Sequence, residues 1–126
     1  MTVRAGLSAI ATMVVTDSDT ATALGTGDVP VLATPRVVTL AEEATVQAVA
    51  NDLEANTTTV GYRVQLDHLA PTAVGGQVSA EAILENVEGR RLTFRVSVSD
   101  GRGLVAAGRI TRVVVERDRF LDKAGT

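Results

Sequence analysis

Residues 34–53, TPRVVTLAEEATVQAVANDL, are the one long stretch of this 126-residue chain with helical periodicity. Proline is favoured in the first turn of a helix, so the stretch predicts a helix from Pro35 to Leu53 with Thr34 as its N-cap. Wound at about 100° per residue, its small and branched apolar side chains gather on one face and its polar side chains on the other. The helix is therefore expected to bury one side against the rest of the domain.

Two adjacent glutamates of this helix fall on different faces. Glu43 lies on the polar stripe, whereas Glu42 lies in the apolar sector, between Val38, Val46 and Val49. Glutamate is almost never fully buried without a partner. The pattern therefore predicts a functional role or a subunit contact for Glu42 and a solvent-facing position for Glu43.

Five strands are predicted around the helix, from alternating or apolar runs bounded by turn residues, at residues 6–15, 57–69, 77–88, 91–99 and 104–115. The turns at Glu88-Gly89 and at residues 100–103 are short, which favours antiparallel hairpins. The expected fold class is α+β: one domain over residues 1–126, with an antiparallel five-stranded sheet and one helix on one face.

The strand at residues 57–69 alternates between apolar and polar side chains. Val60, Tyr62 and Val64 fall on its apolar face, and Gly61 falls on the other. Continued along the strand, the same alternation places His68, the single histidine of the chain, on the apolar face.

Composition excludes several classes of site. The chain has no cysteine and one histidine, which rules out disulfides, a cysteine nucleophile and a multi-histidine metal site within one chain. Net charge is −3 and three aromatic residues are present, which disfavours nucleic-acid binding, although residues 61–126 carry ten basic against eight acidic residues. No apolar run is long enough to span a membrane, and the start of the chain lacks a signal-peptide pattern, so a cytoplasmic location is expected.

Three residues form a candidate catalytic constellation: Thr34, Glu42 and His68. A carboxylate beside an imidazole in a partly dry cleft can serve as a general base or a nucleophile, and a hydroxyl can hold the attacking water or the substrate carbonyl. Simpler roles remain open from the pattern alone. Thr34 could be only an N-cap, and His68 could be a core histidine bonded to backbone.

Four stretches resemble the hotdog-fold thioesterase superfamily, and its fluoroacetyl-CoA thioesterase branch in particular. They are VLATPRVVTLAEEA at residues 31–44, TVGYRVQLDHLAPTAVG at residues 59–75, VEGRRLTF at residues 87–94, and Asp100-Gly101. The resemblance implies a hotdog fold, with the sheet wrapped around a central helix and two chains joined side by side as a homodimer. Two such dimers could also associate.

The resemblance further implies hydrolysis of an acyl-CoA or acyl-carrier thioester by Thr34, Glu42 and His68. It implies substrate or oxyanion contacts from the backbone N–H of Gly61 and from Arg112. Coenzyme A would be part of the substrate, and no separate cofactor or metal is expected. Arg112 shares a strand face with apolar residues, so it needs a partner, and the arginines at positions 90, 91 and 112 are candidates for the phosphates of coenzyme A.

This sequence departs from the branch in two places. Pro35 follows Thr34 where the branch has a small flexible residue, and residues 16–33 contain no aromatic side chain to cover an acyl pocket. The expected enzyme is therefore not selective for fluoroacetyl groups. Two alternatives keep the fold: a non-catalytic domain that binds an acyl ligand or a partner, and a hydratase, which the adjacent Asp67 and His68 disfavour because neighbours on a strand face opposite sides.

Overall fold

The computed structural model describes residues 2–126 and contains five strands and one long helix within them. The strands are β1 (Ser8–Val14), β2 (Thr57–His68), β3 (Gln77–Glu88), β4 (Arg91–Asp100) and β5 (Gly103–Glu116). The helices are α1 (Ala21–Leu24), α2 (Thr34–Val49) and α3 (Arg117–Lys123), and a 3-10 turn spans Asp17–Asp19. Within residues 2–126 no helix combines the length and apolarity that crossing a bilayer requires.

The strands form a single antiparallel sheet in the order β1-β3-β4-β5-β2. The two predicted hairpins join β3 to β4 and β4 to β5. Strand β2 pairs with β5 at the far edge of the sheet, so β1 and β2 are the two edge strands. Helix α2 contacts all five strands, because the sheet curves around it. The predicted α+β class is confirmed.

The core lies between the apolar face of α2 and the inner face of the sheet. Small residues of the helix, among them Ala41 and Ala44, are fully buried, and they meet alternate positions of β3 and β4, including Phe94. Truncating a buried aromatic such as Phe94 typically costs about 3–5 kcal/mol, so this contact anchors the helix on the sheet.

The ends of α2 differ from the prediction. Ala33 is the N-cap, and Thr34 is already the first helical residue, with Pro35 following it in the first turn. The helix ends at Val49 instead of Leu53, because the next residues turn and the N–H of Asp52 donates to the carbonyl of Val49 at 3.0 Å. Asn and Asp favour turns, which explains the early end.

Strand β2 also differs from the prediction, because a β-bulge interrupts its pairing with β5. Gly61 pairs with Arg112 and Arg63 pairs with Thr111, which leaves Tyr62 as an extra residue. A bulge residue shifts the alternation of side chains that follow it. Gly61 therefore faces α2, and Tyr62, expected on the inner face, is 51% exposed.

Candidate active site

The start of α2 and the end of β2 meet at a hydrogen bond between Thr34 and His68. Thr34 Oγ1 lies 2.8 Å from His68 Nδ1. Because the N-cap position belongs to Ala33, the Thr34 side chain is not used to cap the helix. The structure therefore replaces the N-cap interpretation of Thr34 with a side-chain contact between two of the predicted site residues.

The second ring nitrogen of His68 is buried and lacks a hydrogen-bond partner among the described residues. Buried polar atoms are nearly always paired, so an unpaired imidazole nitrogen at the wall of a cleft is suited to meet a ligand or a water. The cleft beside it has a volume of about 320 Å³. Its walls are mainly aliphatic and include no Phe, Tyr or Trp side chain. They are formed by Ala21, Val29, Val31, Leu32, Leu69 and Pro71, together with Thr26 and Thr34.

The carboxylate of Glu42 is held by Arg112. Arg112 Nη1 donates to Glu42 Oε2 at 2.9 Å, while its other two nitrogens donate to the side chain and the carbonyl of Thr59 at 2.9 and 3.0 Å. Arg112 is 7% exposed, and the Glu42 side chain is 32% exposed. Burial lowers the pKa of Arg112, and the charge and hydrogen bond of Glu42 oppose that shift.

This arrangement corrects the role expected of Arg112. The partner that its apolar surroundings required is Glu42, together with Thr59. With three donors engaged and the group buried, Arg112 does not present a free surface to the phosphates of coenzyme A. It orients one oxygen of Glu42 and leaves the other, Oε1, without a hydrogen-bond partner among residues 2–126.

Gly61 lies directly against this carboxylate. A Cβ atom at position 61 would be 2.7 Å from Glu42 Oε2 and 3.7 Å from Arg112 Nη1. A side chain at position 61 would therefore require the Glu42 carboxylate to shift. The prediction that Gly61 faces away from the helix was wrong, because period-two alternation does not register the extra residue at Tyr62.

Within one chain the three residues of the predicted triad belong to two separate hydrogen-bonded pairs, one of which includes Arg112. Thr34 bonds His68, whereas Glu42 bonds Arg112, and no hydrogen bond joins the two pairs among residues 2–126. Thr34 and Glu42 are eight residues apart on α2, or about 12 Å along its axis. The expected direct orientation of Glu42 by His68 is therefore not present in the single chain.

Thr59, Thr72 and Asp100 belong to the framework of the site but were not predicted from the sequence. Thr72 donates to Asp100 Oδ2 at 2.7 Å, and its carbonyl accepts the N–H of Leu32 at 2.9 Å. This ties the loop after His68 to the segment before Thr34. The hydroxyl of Thr72, followed by the backbone N–H of Arg102, lowers the pKa of Asp100. Isolated Thr and Asp in loops carry no sequence signal for such a link.

Comparison with known proteins identifies a family that the chain resembles over most of its length. The family of fluoroacetyl-CoA-specific thioesterases (FlK) matches residues 15–118. A protein from Streptantibioticus cattleyicolor named fluoroacetyl-CoA thioesterase is 39% identical over 90 residues, which is 71% of this chain and 65% of that protein. The matched region thus spans less than two thirds of that relative's own length.

Solved structures extend the similarity to nearly the whole chain. The fluoroacetyl-CoA thioesterase FlK superposes with a TM-score of 0.92 at 32% identity, over 98% of this chain and 96% of that one. A hypothetical protein of Thermus thermophilus, described as a thioesterase superfamily member, superposes with a TM-score of 0.88 at 30% identity, over 94% and 88%. The fold is the hotdog fold, as the resemblance implied. By its sequence and its structure, this chain belongs to the fluoroacetyl-CoA-specific thioesterase family.

Proposed function

We propose that the protein is a thioesterase that hydrolyses an acyl-CoA ester and acts as a homodimer. The observation that carries the proposal is the Glu42 carboxylate, whose Oε2 lies beside Gly61 and is fixed by Arg112, while Oε1 has no hydrogen-bond partner among residues 2–126. A second, separate pair, Thr34–His68, lines a cleft and supplies a buried imidazole nitrogen that has no hydrogen-bond partner among the described residues. A FlK variant structure in complex with fluoroacetate and CoA superposes on this chain with a TM-score of 0.86, which supports coenzyme A as part of the substrate.

The two separated pairs support a shared site between subunits. Strand β2 is an edge strand, and its outer backbone groups are free to pair with another chain. If two copies pair antiparallel with the two-fold axis between Val64 and Gln65, Gly61 of one lies opposite His68 of the partner subunit, at the roughly 5 Å spacing of paired residues. Glu42, which touches Gly61, would then lie beside the partner's Thr34–His68 pair.

Apolar side chains exposed along this edge support the same contact. Val46 on α2 is 44% exposed and Val64 on β2 is 39% exposed. Both lie near Glu42 or on the edge strand, where a second copy would cover them. Burying such side chains contributes about 25 cal/mol for each Å² of apolar surface removed from water.

In the proposed reaction, a water molecule held by Glu42 Oε1 gives up a proton and adds to the carbonyl carbon of the thioester. The resulting oxyanion accepts a hydrogen bond, for which the backbone N–H of Gly61 is the candidate donor. The C–S bond then breaks, the proton that Glu42 took from water passes to the histidine, and the histidine gives a proton from Nε2 to the departing sulfur. Over the cycle, water supplies a hydroxyl to the acid and a proton to the thiol.

A direct attack by Glu42 on the carbonyl is the other route that the geometry allows. It would form an acyl–glutamate anhydride and release the thiolate, after which water would cleave the anhydride. Hydrolysis in ¹⁸O water under single-turnover conditions detects the anhydride route when water attacks the Glu42 carbon of the anhydride. Only that attack leaves ¹⁸O in the Glu42 carboxylate and an unlabelled acid product.

The acyl group that we propose is aliphatic and not specifically fluoroacetyl. The cleft beside His68 is walled by aliphatic side chains, and residues 16–33 contain no aromatic residue. Such a cleft offers apolar contact to a short alkyl chain but no aromatic ring to recognise a C–F bond.

Thiol release from a panel of acyl-CoA esters, including fluoroacetyl-CoA and acetyl-CoA, tests the proposal. The chain has no cysteine, so a thiol-reactive dye reports only the product. Glu42→Ala should lower kcat by about 10²- to 10⁴-fold, the usual contribution of a general base. Glu43→Ala, next to it on the exposed face of α2, is the matched control and should retain activity.

The outcomes separate the proposed enzyme from a binding domain. Loss of turnover in Glu42→Ala with retention in Glu43→Ala supports the thioesterase. A folded wild-type protein that binds CoA esters but turns none over would instead support the non-catalytic alternative.

Mixing two inactive variants tests whether the site is shared. A dimer of Glu42→Ala with His68→Ala contains one intact site if each site uses both subunits, and none if each site lies within one chain. Random exchange should then restore about a quarter of the wild-type rate. No recovery after verified exchange would contradict the shared site.

A further inference from the structure

Tyr62 is the single tyrosine of the chain, and the bulge in β2 presents it to solvent. Its side chain is 51% exposed on the outer face of the sheet, one residue beyond Gly61, whose inner side touches Glu42. A large exposed aromatic at the edge of a sheet carries an unfavourable contact with water unless something covers it. This ring is not used in the proposed chemistry.

Two guanidinium groups lie against the Tyr62 ring. Arg91 Cζ is 4.9 Å and Arg63 Cζ is 5.4 Å from the ring centroid, both within cation–π range. Among residues 2–126, neither arginine has a carboxylate within 4.0 Å, whereas Arg95 and Arg109 on the same sheet both pair with Glu85. The Tyr62 cluster, defined as Tyr62, Arg63 and Arg91, therefore combines an exposed aromatic ring with two positive charges that no carboxylate of the same chain pairs with among residues 2–126.

We propose that the Tyr62 cluster binds the nucleotide end of the substrate, a phosphorylated adenosine. The inference rests on the proposed function, because it places a part of coenzyme A. An aromatic face stacks on a purine ring, and guanidinium groups pair with phosphates as forked donors. A neutral ligand would leave the two arginines without a charge partner, and a simple anion would leave the ring without a stacking partner.

The position of the Tyr62 cluster allows one substrate molecule to reach both the cluster and Glu42. In the proposed dimer, the partner's β2 ends at His68, opposite Gly61, so the edge of β2 from Thr57 to Val60 stays unpaired. The pantetheine arm would cross the sheet edge at this point, with the thioester beside Glu42 on the inner side and the nucleotide on the outer side. Because of the bulge, the residue that contacts Glu42 on the inner side, Gly61, is followed directly by Tyr62 on the outer side.

The absence of tryptophan and of any other tyrosine makes the site directly observable. Protein labelled with 3-fluorotyrosine gives one ¹⁹F resonance, from position 62. We expect 3′-phosphoadenosine 5′-phosphate to shift this resonance saturably. Adenosine and inorganic pyrophosphate, which each carry half of the proposed recognition, should bind about tenfold or more weakly.

Two titration results would overturn the proposal. One is no shift with the nucleotide. The other is equal affinity for pyrophosphate and for the nucleotide, which would show that the ring contributes nothing. Neither result depends on thioesterase activity, so the failure of this inference is distinguishable from failure of the proposed function.

Kinetics provide a second readout. The same acyl group is offered on coenzyme A and on N-acetylcysteamine, a thiol that lacks the nucleotide. Tyr62→Ala and Arg91→Ala should each lower the ratio of kcat/KM for the CoA ester to kcat/KM for the short ester by about tenfold, through KM. Arg95→Ala, which removes one charge from the same face, is the matched control. An unchanged ratio in both Tyr62→Ala and Arg91→Ala would refute the assignment.

Discussion

Replacing Gly61 by alanine perturbs the catalytic carboxylate with a single methyl group. Gly61 does not have a positive φ angle, so its backbone accepts alanine without strain. The added Cβ would lie 2.7 Å from Glu42 Oε2, about 0.7 Å short of ordinary van der Waals contact, which begins near 3.4 Å. The glutamate must therefore move, because the strand behind Gly61 is held by its pairing with β5.

The size of the effect follows from that displacement. Moving Glu42 away from Gly61 stretches or bends its 2.9 Å bond to Arg112 and shifts the unpaired oxygen from the reacting carbonyl. A misplacement of about 1 Å in a catalytic group can cost about 10²-fold in rate. A displacement of about 0.7 Å leads us to expect a 10- to 100-fold loss in kcat for Gly61→Ala.

The free energy of unfolding of Gly61→Ala should change little or increase, although kcat falls. Glycine-to-alanine changes at unstrained positions stabilise by about 0.4–1 kcal/mol through the unfolded chain, which offsets the local crowding. The assay is thiol release on the best acyl-CoA, with thermal unfolding measured on the same samples. Gly101→Ala, where a Cβ would meet nothing within 4 Å, is the control. Wild-type kcat in a folded Gly61→Ala protein would refute the assignment of Glu42 to the chemistry.

Three further substitutions test the framework around the site. Arg112→Ala leaves Glu42 half-buried without its partner and should cost about 2 kcal/mol in the free energy of unfolding, measured by denaturant titration; a change below 0.5 kcal/mol would contradict the buried ion pair. Thr34→Val removes the hydrogen bond to the histidine and should lower kcat at least tenfold, whereas Thr34→Ser should restore most of it; equal rates would show that the hydroxyl is not used. Asp100 has a lowered pKa, so its bond to Thr72 stabilises the fold above about pH 4 and is lost as pH falls through the folded-state pKa. Between pH 7 and pH 3 the unfolding midpoint of Asp100→Asn should fall less steeply than that of wild type, and parallel curves would argue against this contribution.

Much of the fold could be predicted from local patterns. Strand β3 has the predicted bounds, β4 differs from prediction by one residue at one end, and β5 differs by one residue at each end, because alternation and tight turns are local signals. The pairing of β2 with β5 was not predicted, because strand order depends on contacts between distant segments. Helix α3 was not predicted either, because seven mostly charged residues carry no clear apolar period.

The contacts of the candidate site residues could be predicted only in part. Thr34 and His68 do meet, and Glu42 is the half-buried carboxylate that its place on the helix indicated. The partner of Glu42 is Arg112, which lies 70 residues away in sequence. This contact depends on how β5 packs against α2, and the spacing of residues along the chain does not predict that packing.

The bulge at Tyr62 also settles a question of parity. Gly61 and His68 are separated by an odd number of positions, and in a regular strand such residues point to opposite sides of a sheet. Because Tyr62 is an extra residue without a partner on β5, only six paired positions separate Gly61 from His68, and both residues face the helix. A deletion of Tyr62 that closes the bulge would leave Gly61 and His68 six positions apart, so both residues would still face the helix. A one-residue insertion or deletion between Arg63 and Asp67 that keeps the bulge would instead turn one of the two outward. The bulge and the length of the strand after it therefore act together to keep both residues on the helix side.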